Sequence, residues 1–103
     1  MTRKCFIGRY SPFHKGHLNM MLPYKDKPIL VLVMGSRPED IYDPYTRLSI
    51  VRERLHKLGF KDYKVECIPL IDEFIIGRDV GYKITQAPET KNISGTKIRE
   101  WLA

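Results

Sequence analysis

The chain is poor in cysteine and tryptophan and has no long apolar run. Of its 103 residues, two are cysteine and one is tryptophan. Cys5 and Cys67 are too few and too far apart for a disulfide framework or a zinc site, and since each lies in an apolar stretch we interpret both as buried free thiols. No apolar run approaches the roughly 20 residues of a membrane span, and "MTRKCFIG" lacks the apolar core of a signal peptide. These absences predict a cytoplasmic protein.

The length and the net charge of the chain further restrict the class of protein to which it can belong. A chain of 103 residues provides one hydrophobic core, so residues 1–103 are predicted to form a single domain. The composition is 43% hydrophobic and 29% charged, which is ordinary for a globular protein. The net charge of +6 favours anionic partners, either nucleic acid or small phosphorylated molecules, although a solvated basic surface would give the same total.

Short apolar, β-prone segments alternate with segments of helical periodicity along the chain. The predicted strands are Lys4–Tyr10, Pro28–Gly35, Lys64–Leu70 and a further one over Glu73–Asp79. One predicted helix begins near His17, a second spans Arg47–Gly59 with Gly59 as C-cap, and a third spans Ser94–Leu102 with Ser94 as N-cap. The continuous apolar run Pro28–Gly35 indicates a strand buried on both faces, hence a parallel sheet with helices on each side. The predicted fold class is therefore α/β, a doubly wound parallel sheet of the Rossmann-like kind, in which ligands bind beyond the carboxyl ends of the strands.

Two histidines stand at the first of these strand ends, in the stretch "HKGH". His14 and His17 flank Gly16 where a helix begins, so free backbone N–H groups and two imidazoles could together bind a phosphate, more strongly if protonated. Gly16 would let the ligand approach the backbone. Metal ligation is the alternative, but no Cys, Asp or Glu lies near enough to complete a site. Solvated loop histidines are the other alternative.

Two further segments place anion-binding side chains at strand-to-helix junctions. In "NISGTKIREWL", Ser94 and Thr96 precede a predicted helix that carries Arg99, and in "DPYTR" Arg47 lies at the start of another. Taken singly, the first could be an ordinary N-capped helix and the second an exposed basic residue. Because one parallel sheet would bring all three junctions to the same edge, together they predict a site for a triphosphate.

With these residues laid out, the sequence resembles the HxGH nucleotidyltransferase superfamily, of cytidylyltransferase-like fold. "GRYSPFHKGHL" resembles the "GRFQPFHxGHL" stretch of archaeal-type nicotinamide mononucleotide adenylyltransferases, "GSRPEDIYDPYTR" resembles their second strand and loop, and "ISGTKIR" resembles the second signature, ISxTxxR. The middle, "IPLIDEFIIGRDVGYKI", looks like a compact branch that includes phage-type domains related to adenylylsulfate kinase-associated nucleotidyltransferases.

The resemblance implies nucleotidyl transfer from a nucleoside triphosphate to a phosphorylated acceptor such as nicotinamide mononucleotide, with Mg²⁺ and release of pyrophosphate. It implies catalytic roles for His14, His17 and Arg99 and no protein-held metal site. The nucleotide-binding residues implied are Gly8, Arg9, Tyr10, Gly16, Ser94, Gly95, Thr96 and Arg99. The resemblance implies that Arg47 neutralises the charge of the acceptor. Arg78, Asp79 and Tyr82 could bind the acceptor or could simply close a loop.

Alternatives to an adenylyltransferase remain open at this point. Cytidyl transfer to a phosphorylated alcohol is one, but "ETKNISGT" lacks the arginine of the cytidylyltransferase version of the second signature, which favours ATP. A nucleotide-binding module without catalysis, serving a partner domain, is another. Nucleic-acid binding ranks last, since the basic residues cluster in phosphate-binding patterns. We expect a homo-oligomer or a fused partner domain, because so small a chain gains stability from buried intersubunit surface.

Overall fold

The protein is built on a three-stranded parallel sheet. The structure, a computed structural model, describes residues 2–35, 37–77, 81 and 83–85. The elements are β1 (Lys4–Gly8), α1 (Lys15–Met21), a 3-10 turn (Leu22–Tyr24), β2 (Pro28–Met34), α2 (Pro44–Lys57) and β3 (Asp62–Ile68). The strand order is β1-β2-β3, with both pairings parallel. This confirms the α/β class. No helix within the described ranges is long and apolar enough to cross a membrane.

The core is centred on one face of β2. Ile29, Val31 and Val33 alternate along the strand and are each 0% exposed. In the register of the sheet Val31 lies between Phe6 of β1 and Val65 of β3. The branched side chains pack well against cross-strand neighbours on a pleated surface, so the short strands on either side are held by this row.

Both helices cover that same face. Met21 of α1 and Val51 and Leu55 of α2 belong to one buried cluster with Val31. Two right-handed crossovers that step in the same direction along a sheet place their helices on the same side. The prediction of helices on both sides is therefore seen only for one face in the part of the chain that the structure describes, and the predicted helix Ser94–Leu102 lies outside it.

The opposite face of the sheet is partly exposed. Leu30 and Leu32 of β2 are half-buried, and Ile7 of β1 is 40% exposed. Cys5, on the same face, is a free thiol that is exposed, and Cys67 is free and half-buried. The prediction that both thiols are buried was wrong for Cys5. Cys5 is exposed because β1 is an edge strand and no described helix covers the face of the sheet on which Cys5 lies.

The region after β3 departs from the sequence prediction. Residues 73–77, within the predicted fourth strand, are not in a strand, and Phe74 and Ile75 are 59% and 87% exposed. An apolar run alone does not make a strand, since backbone groups need a neighbouring ladder to pair with, and none of the described strands pairs with this segment. Residues 78 and 79 lie outside the described ranges.

Helix α2 has well-defined ends. Asp43 is the N-cap, with its Oδ1 accepting a hydrogen bond from the Thr46 N–H at 2.7 Å, and Pro44 occupies the first helical position. At the other end Gly59 has φ +78°, and the Phe60 N–H donates to the Leu55 carbonyl. This is the Schellman arrangement, and it confirms Gly59 as the residue that terminates the helix. The helix begins three residues before the predicted start because the cap and the proline precede the apolar pattern.

Candidate active site

His14 and His17 form the N-terminal cap of α1. The Gly16 N–H donates to His14 Nδ1 at 3.0 Å, and the His14 N–H donates to His17 Nδ1 at 3.1 Å. The two hydrogen bonds make a reciprocal capping box in which histidines replace the usual hydroxyl and carboxylate side chains. The helix therefore begins at Lys15, two residues before the sequence pattern places it, and His17 lies within its first turn.

These hydrogen bonds determine where each imidazole carries its proton. A ring nitrogen that accepts from a backbone N–H has no proton of its own, so the neutral forms of His14 and His17 are protonated at Nε2. The two rings stack with centroids 3.7 Å apart and an interplanar angle of 29°. Each ring thus has one structural nitrogen, bound to the helix start, and one N–H left to donate to a ligand.

His17 is kept neutral by the aromatic side chains around it. Its ring stacks on Phe13 with centroids 5.5 Å apart and meets the edge of Tyr10 at 4.8 Å. Burial, aided by the proximity of His14, lowers the pKa of His17 to about 3. Burial also lowers the pKa of His14. At neutral pH these surroundings favour uncharged rings, which can still donate hydrogen bonds to a phosphate.

The backbone of Gly16 takes part in the cap of α1, and its predicted role in nucleotide binding stays a prediction. Its N–H is satisfied by His14 Nδ1, and the residue is buried. The start of α1 therefore does not offer that amide to a phosphate, and α1 has only seven residues. The Nε2–H groups of His14 and His17 remain as donors for an anion at this end of the helix.

Tyr10 packs against the His17 ring, and Gly8 lies next to Tyr10. Tyr10 is 2% exposed and lies in the core, with φ +51°. A Cβ at position 8 would come within 3.1 Å of the Tyr10 ring, so glycine there makes room for the ring that packs against His17. Burial raises the pKa of Tyr10 well above its ordinary value. The structure thus places both residues next to the site in packing roles, and their nucleotide-binding role stays a prediction.

Arg9 lies at the end of β1 and is held by two acidic side chains. Its Nη2 donates to Asp40 Oδ1 and to Glu39 Oε1, the latter at 3.3 Å. The Arg9 side chain is 25% exposed, and its Nε is buried with no hydrogen-bond partner among the described residues. Arg9 is thus placed beside the histidine loop with donor capacity to spare, as binding of a phosphate would require.

Arg47 is fully buried, at 1% exposure. Its Nη1 donates to the carbonyl oxygens of Arg9 and Met34, the latter at 2.9 Å, and its Nε donates to the Tyr42 carbonyl at 3.0 Å. The guanidinium therefore links the ends of β1 and β2 to the loop before α2. Its Nη2 is buried and has no hydrogen-bond partner among the described residues. The prediction that Arg47 binds the acceptor stays a prediction.

Asp40 joins the two arginines, and sequence reasoning missed it. Burial alone would raise the pKa of this carboxyl group, but the Arg37 N–H and the guanidinium groups of Arg9 and Arg47 outweigh burial and hold the pKa below its ordinary value. A second link between the same two loops is the Ile41 N–H, which donates to Ser11 Oγ at 3.1 Å. Because Asp40 is 31 residues from Arg9 in the chain, no local pattern could have indicated this pairing.

The remaining predicted site residues lie outside the described ranges. These are Arg78, Asp79, Tyr82, Ser94, Gly95, Thr96 and Arg99. Their roles therefore stay predictions. Among the residues that the structure describes, no group of three or more His, Cys, Asp or Glu side chains could hold a metal ion.

A parallel α/β sheet with polar donors gathered at its strand ends is the arrangement of nucleotide-binding α/β proteins. No protein-family model matches the chain, but curated archaeal proteins do. Nicotinamide-nucleotide adenylyltransferase 1 of Sulfolobus acidocaldarius is 33% identical over 78 residues, which is 70% of this chain and 45% of that protein. The nicotinamide-nucleotide adenylyltransferase of Ignicoccus hospitalis is 35% identical over 94 residues, 84% of this chain and 54% of that protein. These similarities support the nucleotidyltransferase family that the sequence resembles.

A third relative extends the match at lower identity. The nicotinamide-nucleotide adenylyltransferase of Saccharolobus solfataricus is 27% identical over 95 residues, which is 86% of this chain and 55% of that protein. The chain spans about half the length of the curated relatives that it matches. The similarity thus supports the family over most of this chain, and the activity of the longer proteins is carried over only as a proposal.

Proposed function

We propose that this protein transfers AMP from ATP to a small phosphorylated acceptor such as nicotinamide mononucleotide and releases pyrophosphate. The observation that supports this most directly is the His14–His17 pair, two stacked neutral imidazoles with free Nε2–H groups at the carboxyl end of a parallel strand. The archaeal relatives, all called nicotinamide-nucleotide adenylyltransferases, support the choice of donor and acceptor.

In this reaction a phosphate oxygen of the acceptor attacks the α-phosphorus of ATP, and the bond from that phosphorus to the bridging oxygen of the β-phosphate breaks. Negative charge shifts onto the phosphate oxygens in the transition state, and pre-oriented donors stabilise it. The Nε2–H of His17 would donate to the reacting α-phosphate, and that of His14 to another oxygen of the triphosphate. Neither imidazole has to gain or lose a proton, in keeping with the low pKa of His17.

Positive charge for the triphosphate would come from the arginines and from Mg²⁺. Arg9 has a buried Nε without a partner among the described residues, and Ser94, Thr96 and Arg99 are implied by the resemblance. Mg²⁺ would arrive as the counterion of ATP. EDTA should then abolish turnover without lowering the melting temperature of the free protein.

The test is a pyrophosphate-release assay with ATP and CTP separately, against phosphorylated acceptors that include nicotinamide mononucleotide. Release with ATP and that acceptor, with formation of the dinucleotide, is the expected result. Turnover with CTP and a phosphorylated alcohol instead would establish the cytidylyltransferase alternative.

A catalytically silent nucleotide-binding module is the second candidate. The observation in its favour is that residues 73–77, in the segment between β3 and the second signature, form no strand. ATP binding without pyrophosphate release across the acceptor panel would support it. Three further expectations stay predictions: the cytoplasmic location, the homo-oligomer and the partner domain. Sedimentation velocity of the purified chain would show whether it forms a homo-oligomer.

A further inference from the structure

Asp40 is a buried carboxylate between two arginines. Its side chain is 2% exposed. One oxygen accepts a hydrogen bond from Arg9 Nη2, and the other accepts from the Arg37 N–H at 2.8 Å and lies 3.5 Å from Arg47 Nη2. A buried carboxylate is costly unless it is paired and hydrogen-bonded. The ion pairs of Asp40 with Arg9 and Arg47 offset the cost of burying its carboxylate. We refer to these three side chains as the Arg9–Asp40–Arg47 network.

The network restrains the loop that leads from β1 to His14 and His17. Arg47 Nη1 donates to the Arg9 carbonyl and to the Met34 carbonyl, at the ends of β1 and β2. Four residues separate Arg9 from His14 along the loop. Since Asp40 contacts both guanidinium groups, it restrains the direction in which the loop leaves the sheet and also the position of the Arg9 side chain.

We propose that Asp40 is a positioning residue for the transfer reaction, holding Arg9 beside the histidine loop and competing with the triphosphate for the charge of Arg9. The proposal rests on the proposed function. It has two consequences of opposite sign. Orientation by Asp40 speeds the chemical step, because reacting groups must be held within a fraction of an ångström. The negative charge of Asp40 weakens the attraction of Arg9 for the phosphates of ATP.

The test compares Asp40→Asn with Glu39→Gln. Glu39 contacts the same Arg9 Nη2 at 3.3 Å but is 47% exposed, so its removal is a matched control for the loss of one negative charge near Arg9. For Asp40→Asn we expect kcat to fall about 10- to 100-fold, while the affinity for ATP is unchanged or up to about tenfold higher. For Glu39→Gln we expect both quantities to stay within about twofold, since exposed ion pairs are weak.

The split between kcat and ATP affinity separates positioning from a damaged fold. Equal losses in both, accompanied by a lower melting temperature, would reduce Asp40 to a structural residue, and values equal to those of Glu39→Gln would remove its special role. Should Asp40→Asn fail to fold, Asp40→Glu keeps the charge, and we expect it to retain the ATP affinity of the wild type while lowering kcat by at least about fivefold.

An activity-independent measurement distinguishes this proposal from the proposed function. Modification of Arg9 by phenylglyoxal, followed by peptide mass spectrometry, should be several-fold faster in Asp40→Asn than in the wild type. Absence of turnover in the wild type with every acceptor would contradict the proposed function alone. An Arg9 modification rate and an ATP affinity that are both unaltered in the variant would contradict the competition between Asp40 and phosphate.

Discussion

His17 uses the two nitrogens of one ring for two purposes. Nδ1 accepts the His14 N–H and closes the capping box, while Nε2–H is the donor that we assign to the reacting phosphate. The ring is held between His14 and Phe13, so its orientation is set before any ligand arrives. Because the two nitrogens serve different purposes, substitutions of His17 can separate its contribution to the helix cap from its contribution to the reaction.

Substitution of His17 by asparagine and by alanine should separate the two contributions. The Asn Oδ1 occupies about the place of Nδ1 and keeps an acceptor for the His14 N–H, whereas Ala keeps neither nitrogen. We expect both variants to lose about 100-fold in kcat, typical for removal of one transition-state donor. Only His17→Ala should lose about 1 kcal/mol of stability through the cap. A wild-type rate in His17→Asn would contradict the role of Nε2–H.

The low pKa of His17 predicts how stability depends on pH. The folded group titrates at about 3 instead of 6.5, so between these values the unfolded chain binds a proton at this position that the folded chain does not. The stabilisation is complete above pH 6.5 and declines as the pH falls towards 3. Melting temperatures recorded from about pH 7 to pH 5 should therefore fall more steeply for the wild type than for His17→Asn. Parallel curves would show that His17 is protonated as readily in the folded protein as in the unfolded chain.

Among the elements, the helices depend on their ends. Helix α1 has seven residues, fewer than an isolated helix needs to be stable in water, so its cap and the packing of Met21 in the core are what hold it. Helix α2 ends at a glycine in the left-handed region, and the residue after that glycine, Phe60, is buried with Leu55 in the core. The Schellman hydrogen bonds thus fix where the chain turns back towards β3.

Replacement of Gly59 by alanine should destabilise the fold by about 1 kcal/mol, because an alanine at φ +78° is strained whatever the space around it. For a domain of this size the melting temperature should fall by about 5 °C. Gly77→Ala is the control, since an added Cβ there meets no atom within 4 Å. Equal melting temperatures for the two variants would mean that the C-cap contributes little.

At the scale of the whole molecule, the sheet has one covered face and one that the described helices leave open. Parallel sheets are ordinarily covered on both faces. On the open face Leu30 and Leu32 are half-buried and Cys5 is exposed. The sequence-based prediction of helices on both sides is therefore confirmed for one face only. The one predicted helix outside the described ranges, Ser94–Leu102, carries most of the second signature.

Tryptophan fluorescence tests whether that segment covers the open face. Trp101 is the only tryptophan of the chain, so the emission reports on this segment alone. We expect an emission maximum blue-shifted from that of free tryptophan, and a red shift on Leu32→Lys, which would place a charge on the open face. Lys64→Gln, an exposed change on the same face of β3, is the control. Emission like that of free tryptophan in all three proteins would show that Trp101 does not pack against the open face.

The sequence by itself determined the parallel α/β class, the three strands, the C-terminal glycine of α2 and the position of the "HKGH" stretch at a helix start after the first strand. These follow from short-range patterns: apolar runs of strand length, helical spacing, and residue types that bind anions. Only the tertiary structure decided that both described helices lie on one face, that Cys5 is exposed, and that His17 is neutral. It also placed Asp40 between Arg9 and Arg47. Each of these depends on contacts between residues distant in the chain, and burial and electrostatic pairing at such contacts leave no local mark on the sequence.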